Sequence, residues 1–229
     1  MLRSFGDEIW TVDGPQIKAA AGFHYPTRMI IIRLTDQSLF VWSPIKLTPE
    51  LREAVNGIGE VRYLVAPNSL HHTYLQDWHH AYPLAKIYAA PDLLAKRKDI
   101  RFDGVLADTP NPEWAEQIDQ VVMEGNAITK EVVFYHAKSR TVIFTDLLQQ
   151  MPPDFYRGWR RIVAKLDLMT DDQPQVPRKF RLAFTKKEPA RQALMKIQSW
   201  PAERVLMAHG TPVEQDGKAF IAKAFAWLK

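Results

Sequence analysis

The chain has 229 residues, a hydrophobic fraction of 46%, a formal net charge of +4 and no cysteine. The absence of cysteine excludes disulfides, thiolate metal sites and a cysteine nucleophile. No apolar run approaches the ~20 residues that span a bilayer, and the N-terminal MLRSFGDEIW lacks the apolar segment of a signal peptide, so we expect a cytoplasmic protein without a membrane partner.

The first half of the chain consists of short apolar runs separated by turn residues. Strands are predicted, in chain order, at EIWTVDG, RMIIIRL, SLFVWSP, VRYLVAP and KIYAAP. The second and third strands are joined by Thr35, Asp36 and Gln37, which predicts a hairpin. The run VRYLVAP is apolar almost throughout, as expected for a strand that is buried on both faces. A first helix is predicted to begin at Pro49, with Thr48 as its N-cap.

A second helix is predicted over LHHTYLQDWHHAYP, in which Leu70, Tyr74, Trp78 and Ala81 mark a buried stripe. Further strands are predicted at IDQVVMEG and RVLMAHG, and EVVFYHAKSRTVIFTDLL predicts a hairpin whose turn lies near Lys138 and Ser139. Helices are predicted in DFYRGWRRIVAKLDLM, where apolar residues recur at helical spacing, and in EPARQALMKIQSW and GKAFIAKAFAWL. Each half of the chain therefore opens on hairpin strands and closes on α/β units, and no linker divides the halves. This order predicts one domain over 1–229, in which two sheets share a core and helices cover their outer faces.

Potential metal ligands follow three of these apolar runs. His71 and His72 come after VRYLVAP, Asp146 ends TVIFTD, and His209 ends VLMAH. Ligands on loops at strand ends are typical of a metal-dependent hydrolase built on a sheet. Imidazole and carboxylate groups suit zinc, iron or manganese. We therefore predict a site for one divalent metal ion, with a structural role for each residue as the competing interpretation.

The pattern resembles the metallo-β-lactamase superfamily, whose fold is an αββα sandwich of two mixed β-sheets flanked by helices. TVIFTD is similar to the family's Asp strand, LMAHG to its late His strand, and YLVAPNSLHH stands where members carry the loop H-x-H-x-D-H. The departures are similar to those of an uncharacterised subgroup with a degenerate form of that loop. The resemblance therefore implies the αββα fold, without implying a particular reaction.

The resemblance also implies which of the family's two metal sites is kept. Aligning the loop puts Pro67 and Ser69 on its first two His positions, and Ala127 falls at the mid-chain His, so the three-His site is absent. The second site maps onto four residues that are all able to bind a metal. These residues are His71, His72, Asp146 and His209. A further carboxylate of the family is replaced in the segment Trp42, Ser43 and Pro44.

Two functions from different classes follow from this pattern. One is a mononuclear metal-dependent hydrolase of a small ester, thioester, lactone or phosphoester, with Asp146 as ligand or catalytic proton acceptor. The alternative is an inactive pseudo-enzyme that acts as a binding or structural module. Nucleic acid is a weaker third partner, because the basic groups LLAKRKDIR and YRGWRRIVAK are scattered. The spacing of His24 and His136 does not decide their roles.

Overall fold

The structure, a computed structural model, describes residues 1–228 and contains two β-sheets. The larger sheet has seven strands that neighbour one another in chain order: β1 (Arg3–Gly6), β2 (Ile9–Lys18), β3 (His24–Arg33), β4 (Ser38–Trp42), β5 (Glu60–Ala66), β6 (Lys86–Ala89) and β7 (Gly104–Val105). Its first four strands are antiparallel, whereas β4 to β7 run parallel.

The smaller sheet has four strands in the order β11-β10-β9-β8. Their bounds are β8 (Ile118–Met123), β9 (Glu131–His136), β10 (Thr141–Gln149) and β11 (Arg204–His209). Strand β9 is antiparallel to both β8 and β10, and β11 runs parallel to β10. The expected hairpin between EVVFYH and TVIFTD is therefore present, with His136 paired with Thr141 beside the turn.

Seven helices surround the sheets within residues 1–228: α1 (Pro49–Asn56), α2 (Leu75–Ala81), α3 (Leu93–Lys96), α4 (Trp159–Leu166), α5 (Arg178–Ala183), α6 (Lys187–Ser199) and α7 (Gly217–Ala224). Helix α1 begins as predicted, because the side chain of Thr48 accepts a hydrogen bond from the Leu51 N–H and Pro49 occupies the first turn. None of the helices within residues 1–228 has the length and hydropathy of a membrane-spanning segment.

Three buried layers confirm the predicted αββα sandwich. Between the sheets, Phe40 and Trp42 of β4 pack in the same cluster as Phe134 of β9 and Ile143 of β10. A second cluster joins the outer face of the larger sheet to α1, α2 and α3. A third joins the outer face of the smaller sheet to α5, α6 and α7. The strands are buried on both faces because helices cover each sheet, which explains their nearly continuous apolar runs.

One helical prediction needs correction, and one predicted helix has an unexpected orientation. Helix α2 begins at Leu75 rather than near Leu70, and Leu70 is exposed instead of belonging to a buried stripe. In α4 the apolar side chains at helical spacing are largely exposed, whereas Ala164 on another face is buried. Amphipathic spacing identifies a helix but does not say which of its faces meets the core. Strands β1 and β7 and helix α5 are too short to give a periodic signal.

One edge of the sandwich gathers the ends of several strands. The carbonyl of Pro67, which follows β5, accepts a hydrogen bond from the N–H of Val132 at the start of β9, at 2.8 Å. The parallel pairing of β10 with β11 is regular up to Phe144 and Met207 and then shifts register before Gln149 and His209. Asp146 is located within this irregular stretch of β10.

Candidate metal centre

Three of the predicted ligands converge at this edge. His71, Asp146 and His209 are all buried, and one potential ligand atom from each lies within 4.8 Å of the other two. The Nε2 atoms of His71 and His209 are 3.1 Å apart. Asp146 Oδ2 lies 3.4 Å from His71 Nε2, and Asp146 Oδ1 lies 3.3 Å from His209 Nε2. The carboxylate therefore faces both imidazoles with separate oxygens.

Asn68 connects the loop after β5 to the carboxylate. Its Oδ1 accepts hydrogen bonds from the N–H groups of Leu70 and His71, both at 3.0 Å. Its Nδ2 donates to Asp146 Oδ2 at 2.6 Å. An Asn that captures backbone N–H groups in this way favours a turn over a helix, which explains why α2 starts later than predicted. The turn directs His71 towards Asp146.

The outer nitrogen of each imidazole is held by a second group. His209 Nδ1 donates to the Pro26 carbonyl at 2.6 Å, since a carbonyl can only accept, and its Nε2 faces the other two ligands. His71 Nδ1 lies 2.8 Å from Ser43 Oγ. Metal-binding imidazoles usually have such an outer partner, which fixes the ring and its tautomer. Ser43 belongs to the segment in which the family's carboxylate is absent, and its hydroxyl now contacts His71.

The protonation states at the centre suit a cation. Burial lowers the pKa of the His71 imidazole, against the attraction of the Asp146 carboxylate. Burial alone raises the pKa of Asp146, but His71 and His209 outweigh it and hold this pKa well below its ordinary value. Burial thus favours the neutral form of His71, and the two imidazoles favour the ionised form of Asp146; these are the forms that bind metals.

The donor spacing also fits a divalent ion. Bonds of ~2.0–2.1 Å in a tetrahedral zinc site place donor atoms about 3.3 Å apart. The two Nε2 atoms are 3.1 Å apart, and each faces a different Asp146 oxygen, at 3.4 and 3.3 Å. One donor atom from each of the three residues lies within 4.8 Å of the other two. Two imidazoles and one carboxylate form a set that zinc and non-haem iron both accept. The residues present therefore fit one ion and would leave coordination positions open for other ligands.

A cleft of about 410 Å³ opens beside the three ligands. Its wall includes Gln149, Lys179, Phe180 and Tyr25. The Lys179 Nζ donates to Tyr25 Oη at 3.0 Å and lies 3.5 Å from Asp167 Oδ2. The ring of Tyr25 lies 5.5 Å from the ring of His209. The ligands thus share a pocket with an ammonium group and an apolar surface, a composition typical of small-molecule sites.

The fourth predicted ligand, His72, is not brought to this group. Its Nδ1 lies 2.8 Å from an Arg97 Nη1, and burial together with Lys96 and Arg97 lowers the pKa of His72 to about 4. The structure also places the two undecided histidines away from the group. The His24 ring packs against Phe155 and Tyr156, and His136 lies at the far end of β9 from Glu131.

Ser69, which stands at one of the absent His positions, contacts a second hydroxyl group. Ser69 Oγ lies 3.1 Å from Thr129 Oγ1, and both side chains are buried. Thr129 Oγ1 also lies 3.5 Å from Asp92 Oδ2, and the carbonyl of Ser69 accepts a hydrogen bond from Lys96 Nζ at 2.7 Å. Because Pro67, Ser69 and Ala127 offer no imidazole, these positions do not form a second metal site of the three-His kind.

Some residues around the centre gave little signal in the sequence. Asn68 is the most visible of them, because it stands at a strand end, but the same position suits a turn residue. Gln149 Nε2 lies 3.3 Å from Asp146 Oδ1, and Pro26 contributes only a backbone carbonyl, which sequence patterns cannot reveal. Glu131 is a single acidic residue at the start of the apolar strand EVVFYH. An acid next to a buried apolar run is the one sequence feature that could have drawn attention to it.

Comparisons with known proteins agree with the fold. Residues 6–157 match the profile of a family described as "Domain of unknown function (DUF4336)". Among solved structures, a metallo-β-lactamase from Hirschia baltica has 13% sequence identity and a TM-score of 0.64, over 100% of this chain and 96% of that chain. The mono-zinc form of FIM-1 from Pseudomonas aeruginosa has 10% identity and a TM-score of 0.66, over 99% and 95%.

A metal-soaked flavodiiron core, Flv1 from Synechocystis sp. PCC6803, is similar as well. It has 11% identity and a TM-score of 0.67, over 100% of this chain and 60% of that chain. A search of curated protein sequences gave no match. At these identities the structural likeness establishes the metallo-β-lactamase fold and leaves the chemistry to be argued from the residues of the site.

Proposed function

Because the chain belongs to the DUF4336 family and carries the metallo-β-lactamase fold, we propose that it is a mononuclear metal-dependent hydrolase. The observation that carries this proposal is the convergence of His71 Nε2, His209 Nε2 and the Asp146 carboxylate at separations of 3.1–3.4 Å. The proposal treats 1–229 as one domain, which the core shared by the two sheets supports.

Each residue of the centre has a proposed task. His71, His209 and Asp146 would hold zinc, iron or manganese, and a bound ion of this kind lowers the pKa of water towards ~7. Ser43 and the Pro26 carbonyl keep the rings oriented. Asp146 presents one oxygen to each imidazole, and it is therefore proposed as a ligand rather than as the catalytic proton acceptor.

The cleft favours a small substrate. A volume of about 410 Å³ suits a small ester, thioester, lactone or phosphoester, and Lys179 can hold an acidic group of such a molecule. Phe180 and Tyr25 offer apolar surface to the remainder of the substrate. Nucleic acid fits less well, because phosphodiester cleavage favours two metal ions and the three-His positions carry Pro67, Ser69 and Ala127.

The pseudo-enzyme remains the second candidate. It is favoured by the absence of the three-His site, whose positions carry Pro67, Ser69 and Ala127, since a site that has lost ligands often loses its reaction. It is opposed by the ordered imidazoles and by the cleft, because a module that only binds through its surface has no need for either. The two candidates differ in whether the metal-loaded protein turns over an ester.

Metal analysis and an ester assay test the proposal together. We expect purified protein, reconstituted with zinc, iron(II) or manganese(II), to retain about one ion per chain and to hydrolyse one or more 4-nitrophenyl esters. His209→Ala should lose both properties, whereas His79→Ala on α2 should keep them. Absence of bound metal after reconstitution would contradict the proposal. Metal binding without turnover of any ester, lactone or phosphoester would favour the pseudo-enzyme.

A further inference from the structure

Glu131 is a fully buried acid that does not itself belong to the proposed ligand set. It opens β9 and has no solvent exposure. Its carboxylate accepts three backbone hydrogen bonds from one short segment of β10. Glu131 Oε1 accepts from the N–H of Thr145 at 2.7 Å, and Oε2 accepts from the N–H groups of Asp146 and Leu147 at 2.7 and 3.0 Å.

These three N–H groups lie where β10 leaves its regular pairing. The register of β10 against β11 shifts between Phe144 and Gln149, so the ladder does not continue through the intervening residues. Buried N–H groups without a partner are costly, and the two carboxyl oxygens of Glu131 supply acceptors for three of them. An amide side chain has one acceptor oxygen and offers fewer such bonds. The conformation of this segment of β10 therefore depends on the carboxyl group of Glu131.

We propose that Glu131 is a positioning residue for the metal ligand Asp146. It holds the backbone of Asp146, while Asn68 holds the side-chain carboxylate through Oδ2 at 2.6 Å. Because Glu131 holds its backbone N–H and Asn68 holds its carboxylate, Asp146 is oriented before an ion binds. The inference rests on the proposed metal site and adds a residue that acts through Asp146 rather than by touching the metal.

The geometry separates this role from a general contribution to stability. Asp119 on β8 provides a matched control, because it also accepts three hydrogen bonds: from the Gln120 N–H at 2.8 Å, Lys196 Nζ at 2.8 Å and Trp200 Nε1 at 2.7 Å. Asp119 pairs with Tyr135, which lies four residues along β9 from Glu131. At ~3.3 Å per residue, these four residues span roughly 13 Å. Removing its charge should affect folding without affecting Asp146.

The experiment compares Glu131→Gln, Glu131→Asp and Asp119→Asn with the wild-type chain. The cobalt(II) affinity is measured by competition with a chromophoric chelator, the visible spectrum of bound cobalt reports ligand geometry, and urea unfolding reports stability. We expect Glu131→Gln to weaken cobalt binding by about 10–100-fold and to change the spectrum. Glu131→Asp keeps two acceptor oxygens, so it should recover part of the affinity. Asp119→Asn should lower stability and leave cobalt binding unchanged.

Each other outcome has a defined meaning. If Glu131→Gln loses stability as Asp119→Asn does but keeps the wild-type affinity and spectrum, the positioning role is overturned and the proposed function stands. If wild-type protein itself takes up no cobalt, zinc, iron or manganese, the proposed function and this inference both fail. If Glu131→Gln does not fold, Glu131→Asp decides: wild-type affinity and spectrum in that variant overturn the inference, and an intermediate affinity supports it.

Discussion

Strand β9 starts and ends at two buried polar clusters that look alike at first sight. At its start, His71 Nδ1 lies 2.8 Å from Ser43 Oγ, and at its end, His136 Nδ1 lies 2.8 Å from Ser139 Oγ. Both rings are buried and both hydroxyl contacts satisfy one nitrogen. The difference is in the second nitrogen, because His71 Nε2 faces His209 and Asp146.

The second cluster consists of His136, Ser139 and Thr141, which contact one another, and we call it the closed cluster. Ser139 Oγ donates to Thr141 Oγ1 at 2.8 Å, and the group of three ligand-type residues found within residues 1–228 does not include His136. A buried imidazole with a hydroxyl partner is therefore not evidence of a site. Convergence of its remaining lone pair with other donors beside a cleft is the feature that separates the two ends of β9.

The largest expected effect is on metal affinity. His71→Ala removes one of three donors and should weaken zinc binding by at least about 100-fold, which corresponds to about 2.7 kcal/mol. His136→Ala, the matched change at the other end of β9, should leave zinc affinity within about 2-fold. Competition with a chromophoric chelator measures both constants. Similar losses in the two variants would remove the distinction between the clusters.

The second effect is a pH dependence at the closed cluster. Burial, with a smaller contribution from Lys138, lowers the pKa of His136 from an ordinary 6.5 to about 4. The folded protein therefore disfavours the protonated ring. The stability that the neutral ring preserves is fully present above pH 6.5 and is lost as the pH falls towards about 4.

The measurement is urea unfolding of wild-type and His136→Asn protein, in the absence of metal, at about pH 7 and about pH 4.5. Wild type should lose about 2 kcal/mol more than the variant between these two conditions. The variant itself creates a small cavity, but that cost is shared by both pH values and cancels from the comparison. An equal loss in both proteins would mean that His136 titrates normally in the fold.

A smaller effect should follow from loosening the ligand loop. Asn68→Ala removes the donor to Asp146 Oδ2 and the acceptor for the turn at Leu70 and His71, so zinc affinity should fall about 10-fold. Ser139→Ala removes a buried hydroxyl from the closed cluster and should not change zinc affinity. Isothermal titration with zinc compares them. An unchanged affinity in Asn68→Ala would show that His71 and Asp146 are oriented without this amide.

The fold was largely predictable because its main signals are local. Apolar runs such as VRYLVAP and TVIFTD mark buried strands, and Thr48 with Pro49 marks the start of a helix. The exposed apolar face of α4 was not predictable, since periodicity gives the existence of a face but not its partner. The start of α2 was missed because the Asn68 turn competes with helical hydrogen bonds.

The candidate site was predictable in part. His71, Asp146 and His209 are ligand-type residues at strand ends, and the structure brings them together. His72 is also a ligand-type residue at a strand end, but the side chains of adjacent residues point in different directions, and that of His72 contacts Arg97 instead. Ser43, Gln149 and Glu131 act through contacts between segments distant in the chain, and a single sequence does not record such contacts.

The spacing of these contacts along the chain has a consequence for the order of folding events. Glu131 and Asp146 are 15 residues apart, within one hairpin, whereas His71 and His209 are 138 residues apart. Closing the short loop costs less entropy than closing the long one, so the hairpin can form early and the two imidazoles meet late. An ion that binds only after that meeting should slow unfolding while leaving the refolding rate nearly unchanged, a difference that stopped-flow fluorescence with and without zinc would reveal.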